Sequence, residues 1–207
     1  MPLACLQYPA LSNSPQAPES SQLLVMLHGW GSNAQDLAAL APVFHQPHLH
    51  LMFPDAPYSH PTIPGGRMWY HIETGEHLNS GRRALHEWLI ALSHQINIPL
   101  EKTILGGFSQ GGAMTLDVGL DLPLAGLICL SGYWHPDISK NRQGHSKPIL
   151  MLHGSQDEVI PLQVAQEARD ELNQRRLPVE YHELDMAHEV TAEALGLIQR
   201  FLTRIQV

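Results

Sequence analysis

The chain has 207 residues, 43% of them hydrophobic, and sets 20 acids against 12 lysines and arginines for a formal net charge of −8. A chain of this length buries about 70% of its unfolded surface, so wholesale disorder is excluded. With no basic cluster there is no electrostatic footprint for nucleic acid, and no apolar run approaches the roughly 18 residues that span a bilayer.

The opening Met1-Pro2-Leu3-Ala4-Cys5 has neither a basic n-region nor an apolar h-region, so it is not read as an export signal. A short leading strand is followed by a Pro-, Ser- and Asn-rich loop over 9–22. Leu23 to Leu27 is a continuous apolar run, the pattern of a strand covered on both faces. It leads into His28-Gly29-Trp30-Gly31 and a helix over 34–40 that Ser32 or Asn33 caps. A strand over 49–55 follows, then a long loop over 56–80 holding Trp69 and Tyr70. Leu85, Trp88, Leu89 and Leu92 mark a helix over 80–95 at core-facing spacing. The remainder reads as strand 102–107, helix 110–120, strands 125–131 and 148–152, helix 161–176, strand 179–184 and helix 191–205. This alternation predicts one α/β domain over residues 1–207, a doubly wound and mostly parallel sheet with helices on both faces.

Two cysteines, Cys5 and Cys129, allow at most one disulfide and make no framework, which predicts a reducing compartment. Fourteen histidines invite a metal reading, and His48 with His50 has chelate spacing. They are scattered, and neither His-Glu-x-x-His nor a cysteine pair supports them, so no metal is expected.

The chemistry is carried by Gly107-Phe108-Ser109-Gln110-Gly111, a Gly-x-Ser-x-Gly run between a predicted strand and helix. Such a turn exposes the serine hydroxyl as a nucleophile and needs small flanking residues. Three fixed positions match by chance in roughly one 200-residue chain in fifteen, so the context has to decide. Ligand sites of such sheets lie at the carboxyl ends of the strands, and two further reactive groups fall there. Asp157 follows the strand ending at His153-Gly154, and His188 follows the last strand. The order Ser109, Asp157, His188 is that of an α/β-hydrolase. Asp185 lies too close in sequence to His188 to be first choice, and Asp55 and Asp137 fall in unsuitable loops. His153 and His182 lie in or at the ends of strands. The early glycine loop nominates the backbone amides of Trp30 and Gln110 as an oxyanion hole, while the His28 ring is expected to hold that loop. Ile63, Met68, Trp69 and Tyr70 are expected to wall the acyl site, the alternative being that they pack the loop against the sheet.

On these motifs the chain resembles the acyl-protein thioesterase, or phospholipase/carboxylesterase, branch of the α/β-hydrolases. The matching segments are Leu-His-Gly-Trp-Gly at 27–31, Phe-Pro-Asp-Ala-Pro at 53–57, Gly-Gly-Arg-Met-Trp-Tyr at 65–70, Gly-Gly-Phe-Ser-Gln-Gly-Gly at 106–112, Leu-Ser-Gly-Tyr at 130–133, His-Gly-Ser-Gln-Asp-Glu-Val-Ile-Pro at 153–161 and Ala-His-Glu-Val at 187–190. The resemblance implies Ser109 as nucleophile, His188 as base, Asp157 as its orienting acid and no large cap domain. It implies hydrolysis of small carboxylic esters or thioesters, without a cofactor, in the cytoplasm and often as a homodimer. A lysophospholipase or acyl-protein thioesterase would use the same triad, and a non-catalytic binding protein on the same fold would lack one of its members. Two positions depart from the family: Trp30, often Leu, whose indole narrows the acyl pocket, and Ala187, often Gly, which keeps its turn to ordinary backbone angles.

Overall fold

A computed structural model describes residues 3–10, 21–44, 46–135 and 146–205. Residues 11–20 of the expected early loop, and Asp137, lie outside the described residues. Seven strands form one sheet in the order β1 (Cys5–Tyr8), β3 (Leu49–Pro54), β2 (Gln22–Leu27), β6 (Thr103–Phe108), β7 (Gly126–Leu130), β8 (Ile149–Gly154) and β9 (Val179–Leu184). All neighbours run parallel except β1, which pairs antiparallel with β3 at the edge.

The apolar runs of the central strands divide between two cores by simple alternation. Leu23, Val25, Leu27, Leu105, Leu127, Cys129, Ile149 and Met151 face one layer. Leu24, Met26, Ile104, Ile128, Leu130, Leu150 and Leu152 face the other. The first layer is covered by α3 (Leu78–Ile96), α4 (Gln110–Gly119) and α5 (Leu162–Gln174). The second is covered by α1 (Ala34–Ala38), α2 (Ala41–Phe44) and α6 (Ala192–Arg204). No helix among the described residues is long and apolar enough to cross a membrane.

Asn33 caps α1, its side chain accepting from the Asp36 amide at 3.0 Å. The helix expected from residue 80 begins at Leu78 and ends where Asn97 turns left-handed (φ 55°) ahead of Pro99. The long loop contains a short antiparallel pair, β4 (Tyr58–Ser59) with β5 (Arg67–Met68). Its strands are too short to register as a periodic pattern. At the far end of α4, the buried Lys147 ammonium donates to the carbonyls of Gly119, at 2.7 Å, and Leu122. Burial pulls that ammonium down to about 8, against the opposing pull of Asp121. Cys5 and Cys129 are free thiols. Burial pushes them up to about 11 and about 12, respectively.

Two helical glycines separate propensity from packing. A methyl on Gly81 would sit 2.3 Å from the Trp69 carbonyl oxygen, whereas one on Gly196 would meet only the Arg200 guanidinium at 3.6 Å. Alanine is favoured over glycine in a helix by about 1 kcal/mol, which a backbone collision exceeds. Gly196→Ala should therefore raise the unfolding free energy by about 0.5–1 kcal/mol, while Gly81→Ala lowers it by on the order of 2 kcal/mol. Urea midpoints of the two variants against the parent check both signs.

Candidate active site

The chain leaves β2 toward β3 on one side and returns through β6 on the other. The order of the sheet therefore reverses between β2 and β6, and a crevice opens at their carboxyl ends. Ser109 occupies that point between β6 and α4 with φ 55° and ψ −119°, a conformation that strains any residue with a side chain. Packing holds it there: the Ser109 amide donates to the Leu130 carbonyl at 2.8 Å, and the Ala113 amide donates to the Ser109 carbonyl at 3.0 Å. A methyl on Gly107 would stand 2.3 Å from the Gly111 carbonyl oxygen, and one on Gly111 would stand 2.2 Å from that of Leu27. The turn requires both glycines because backbone passes where side chains would be.

Asp157 and His188 meet across the ends of β8 and β9. The His188 Nδ1–H donates to Asp157 Oδ2 at 2.7 Å, which fixes the tautomer and leaves Nε2 free of that proton. The other carboxylate oxygen accepts from the amides of Val159 and Ile160 at 2.9 and 2.8 Å. Burial pushes the Asp157 carboxyl up, but the Ile160 amide and the His188 imidazole outweigh it and hold it below the ordinary aspartate range. His153, also buried, directs Nε2 to the Ile160 carbonyl at 2.8 Å and stands 3.5 Å from Asp157 Oδ2. It braces the acid's loop. The His188 side chain keeps 16% of its surface exposed, and its ring lies 4.7 Å from that of Phe108, the residue before the serine. Gly154 permits this corner, since a methyl there would stand 2.3 Å from the Met186 carbonyl oxygen.

The early loop lies against the serine: a methyl on Gly29 would be 3.2 Å from the Ser109 Cβ. His28 is structural, as expected. Its Nε2 accepts from the Ala56 amide at 3.0 Å and its Nδ1–H donates to the Gly29 carbonyl at 2.8 Å. The Gly31 amide is already committed to the Arg67 carbonyl at 2.9 Å. Asp55 is occupied too, accepting from the Ala34 amide at 2.8 Å.

Of the four residues expected to wall the acyl site, the structure exposes only Ile63, at 45%. Trp69 is fully buried, its indole N–H donating to the His28 carbonyl at 3.0 Å, so this residue packs the loop against the sheet and does not face a cleft. Met68 and Tyr70 are also buried, and the Tyr70 hydroxyl pairs with that of Tyr133. Sequence reasoning missed the Gln110 side chain. It accepts from the Trp69 amide at 3.0 Å and donates to the Tyr70 carbonyl at 2.7 Å, tying the long loop to the serine turn. Partners about forty residues away leave no local signal.

The sheet order and the strained serine after its central strand are those of an α/β-hydrolase, a class this chain enters as an ester-hydrolysing enzyme. The sequence model of the phospholipase/carboxylesterase family matches residues 12–206, and the chain belongs to that family. It is similar to acyl-protein thioesterase 1 of Saccharomyces cerevisiae, 28% identical over 88% of this chain and 92% of the relative. The counterpart in Schizosaccharomyces pombe is 31% identical over 67% of this chain and 69% of the relative. Among solved structures, that of esterase PE8 superposes with a TM-score of 0.87 at 27% identity, covering 99% of this chain and 100% of the other.

Because the folded Asp157 is the stronger acid, its contribution to stability is complete above the unfolded value near 4 and is lost as pH falls through the lower folded value. Wild-type stability should thus fall more steeply below about pH 4 than that of Asp157→Asn, and the two urea midpoints should converge in acid. Denaturant titrations between about pH 7 and pH 3 check this.

Proposed function

We propose that the chain is a serine carboxylesterase acting on small esters or thioesters through Ser109, His188 and Asp157. The observation that carries the reading is the position of the His188 imidazole, gripped by Asp157 at 2.7 Å and packed on Phe108, whose chain neighbour is the strained serine. In that arrangement His188 Nε2 takes the Ser109 proton as the hydroxyl attacks the substrate carbonyl. Asp157 stabilises the imidazolium without itself taking the proton. The oxyanion is received by the amides of Gln110 and Trp30. Gln110 opens α4, where the first amides have no intrahelical acceptor, and with the Gly31 amide committed elsewhere Trp30 is the donor that loop offers. His188 then protonates the departing alcohol or thiol, and water repeats the cycle on the acyl-enzyme.

The thioester and lysophospholipid variants of this chemistry use the same groups, and the relatives named thioesterases favour the thioester variant. The reading includes one domain over residues 1–207, a cytoplasmic setting consistent with two free thiols, and a homodimer as the family resemblance implies.

Incubation with a fluorophosphonate should place one label on Ser109 and abolish turnover of a short-chain nitrophenyl ester. Ser109→Ala should lower kcat by at least about a thousandfold. Equal rates for the variant and the parent would refute the assignment. A nitrophenyl series with acyl chains from two to twelve carbons ranks the chain-length preference.

A further inference from the structure

Asp157 and His188 stand on neighbouring loops, and those loops are joined by a ladder that outlasts the strands. β8 and β9 pair as far as Gly154 opposite Leu184. Past the strand ends, the Ser155 amide donates to the Leu184 carbonyl at 2.8 Å, and the Gln156 amide to the Met186 carbonyl at 3.1 Å. The next crossing is the bond from His188 to Asp157 at 2.7 Å.

Between the last two crossings the chain advances one residue on the Asp157 side and two on the His188 side. The extra residue, Ala187, lies in a turn closed on itself, its carbonyl accepting from the Glu189 amide at 3.0 Å. Among the described residues no backbone hydrogen bond ties Ala187 or His188 to the loop of Asp157. The imidazole is therefore carried on a turn whose tilt the backbone ladder alone does not set.

A side-chain bond crosses at this point. Gln156 Nε2 donates to Asp185 Oδ1 at 2.5 Å on the exposed side of the joint. Gln156 directly precedes Asp157, and Asp185 comes three residues before His188. Asp157 is buried and Gln156 is exposed, so two successive residues grip the same neighbouring loop from opposite sides. Inside, a carboxylate holds the imidazole; outside, an amide holds a carboxylate. A bond of the second kind is charge-assisted and stronger than one between neutral groups.

Resting on the esterase reading, we propose that Gln156 and Asp185 are positioning residues for the hydrolysis. Their bond holds the turn that carries His188 at the tilt where Nε2 serves the Ser109 hydroxyl while Nδ1 stays on Asp157. Neither side chain is assigned a contact with substrate, so the bond acts on kcat and not on KM. Misplacing a reacting group by about 1 Å costs on the order of a hundredfold, and loss of one exposed bond beside an intact ladder costs a smaller share, about fivefold.

The test is a side-chain exchange, read with a short-chain nitrophenyl ester. Gln156→Ala removes the bond without changing charge and should lower kcat about fivefold with KM unchanged. Gln156→Glu sets a carboxylate against Asp185 and should lower kcat about tenfold. Adding Asp185→Asn to Gln156→Glu re-forms the bond with donor and acceptor exchanged, and should bring kcat back to within about twofold of the parent. Adding Asp185→Asn to Gln156→Ala should restore nothing. Recovery there would show that the charge at 185 matters and the bond does not, which overturns the proposal. A parent-like kcat in Gln156→Ala, a loss carried by KM, or an exchange that fails to recover overturns it too, and each leaves the esterase standing. If the parent hydrolyses no ester, the esterase reading fails instead, and the low-field Nδ1–H proton resonance of His188 decides the joint. It should be sharp in the parent, broaden or vanish in Gln156→Ala and return in the exchanged pair. A resonance unmoved by Gln156→Ala, absent from the parent or missing from the exchanged pair would refute the positioning role.

Discussion

Everything at the mouth of this sheet depends on backbone passing backbone closer than a methyl group allows. At the turn after β6, the carbonyls of Leu27 and Gly111 occupy the volume that side chains at 111 and 107 would need. This contact presses α4 onto the end of β2, holds the serine in a strained backbone conformation and brings the early loop alongside it. The strain at Ser109 is sustained because β7 takes its amide and α4 takes its carbonyl. Neither bond needs a particular side chain, so the turn is specified by what is missing from its neighbours.

Asp157 and His188 are positioned by different means. Asp157 is fixed by two amides of its own loop and braced through His153, and the imidazole is then placed by the acid and by the Phe108 ring. The long loop is fixed by the Gln110 amide group, the Trp69 indole and the close approach of Gly81. One residue, Gln110, thus joins the helix that follows Ser109 to the long loop.

Much of this was legible in the sequence. The unbroken apolar runs of β2, β6, β7 and β8 announced strands covered on both faces, and the residues beyond their ends announced where reactive groups would gather. Other features were not legible. The role of Trp69 depends on a carbonyl at residue 28, and an aromatic residue in a loop looks the same whether it lines a cleft or fills a core. The Gln110 clamp and the Lys147 cap join groups distant in sequence, with no periodicity to betray them. The β4–β5 pair and α2 are too short for any pattern to stand above chance. Local spacing reveals elements and candidate groups; it does not reveal what a polar side chain touches.

The two ends of the 56–80 segment differ in how deeply they are packed. Its return arm is riveted by Trp69, Tyr70 and the packing of Gly81, while the outer tip around Ile63 is exposed and closes on itself: the Gly66 amide donates to the Ile63 carbonyl, the His60 amide to the Gly66 carbonyl, and the His60 imidazole accepts from two amides. A segment with a buried root and an exposed, self-contained tip is a natural place for diversification. Changes of size or polarity near residues 61–65 can alter the surface there without loosening the turn that holds Ser109.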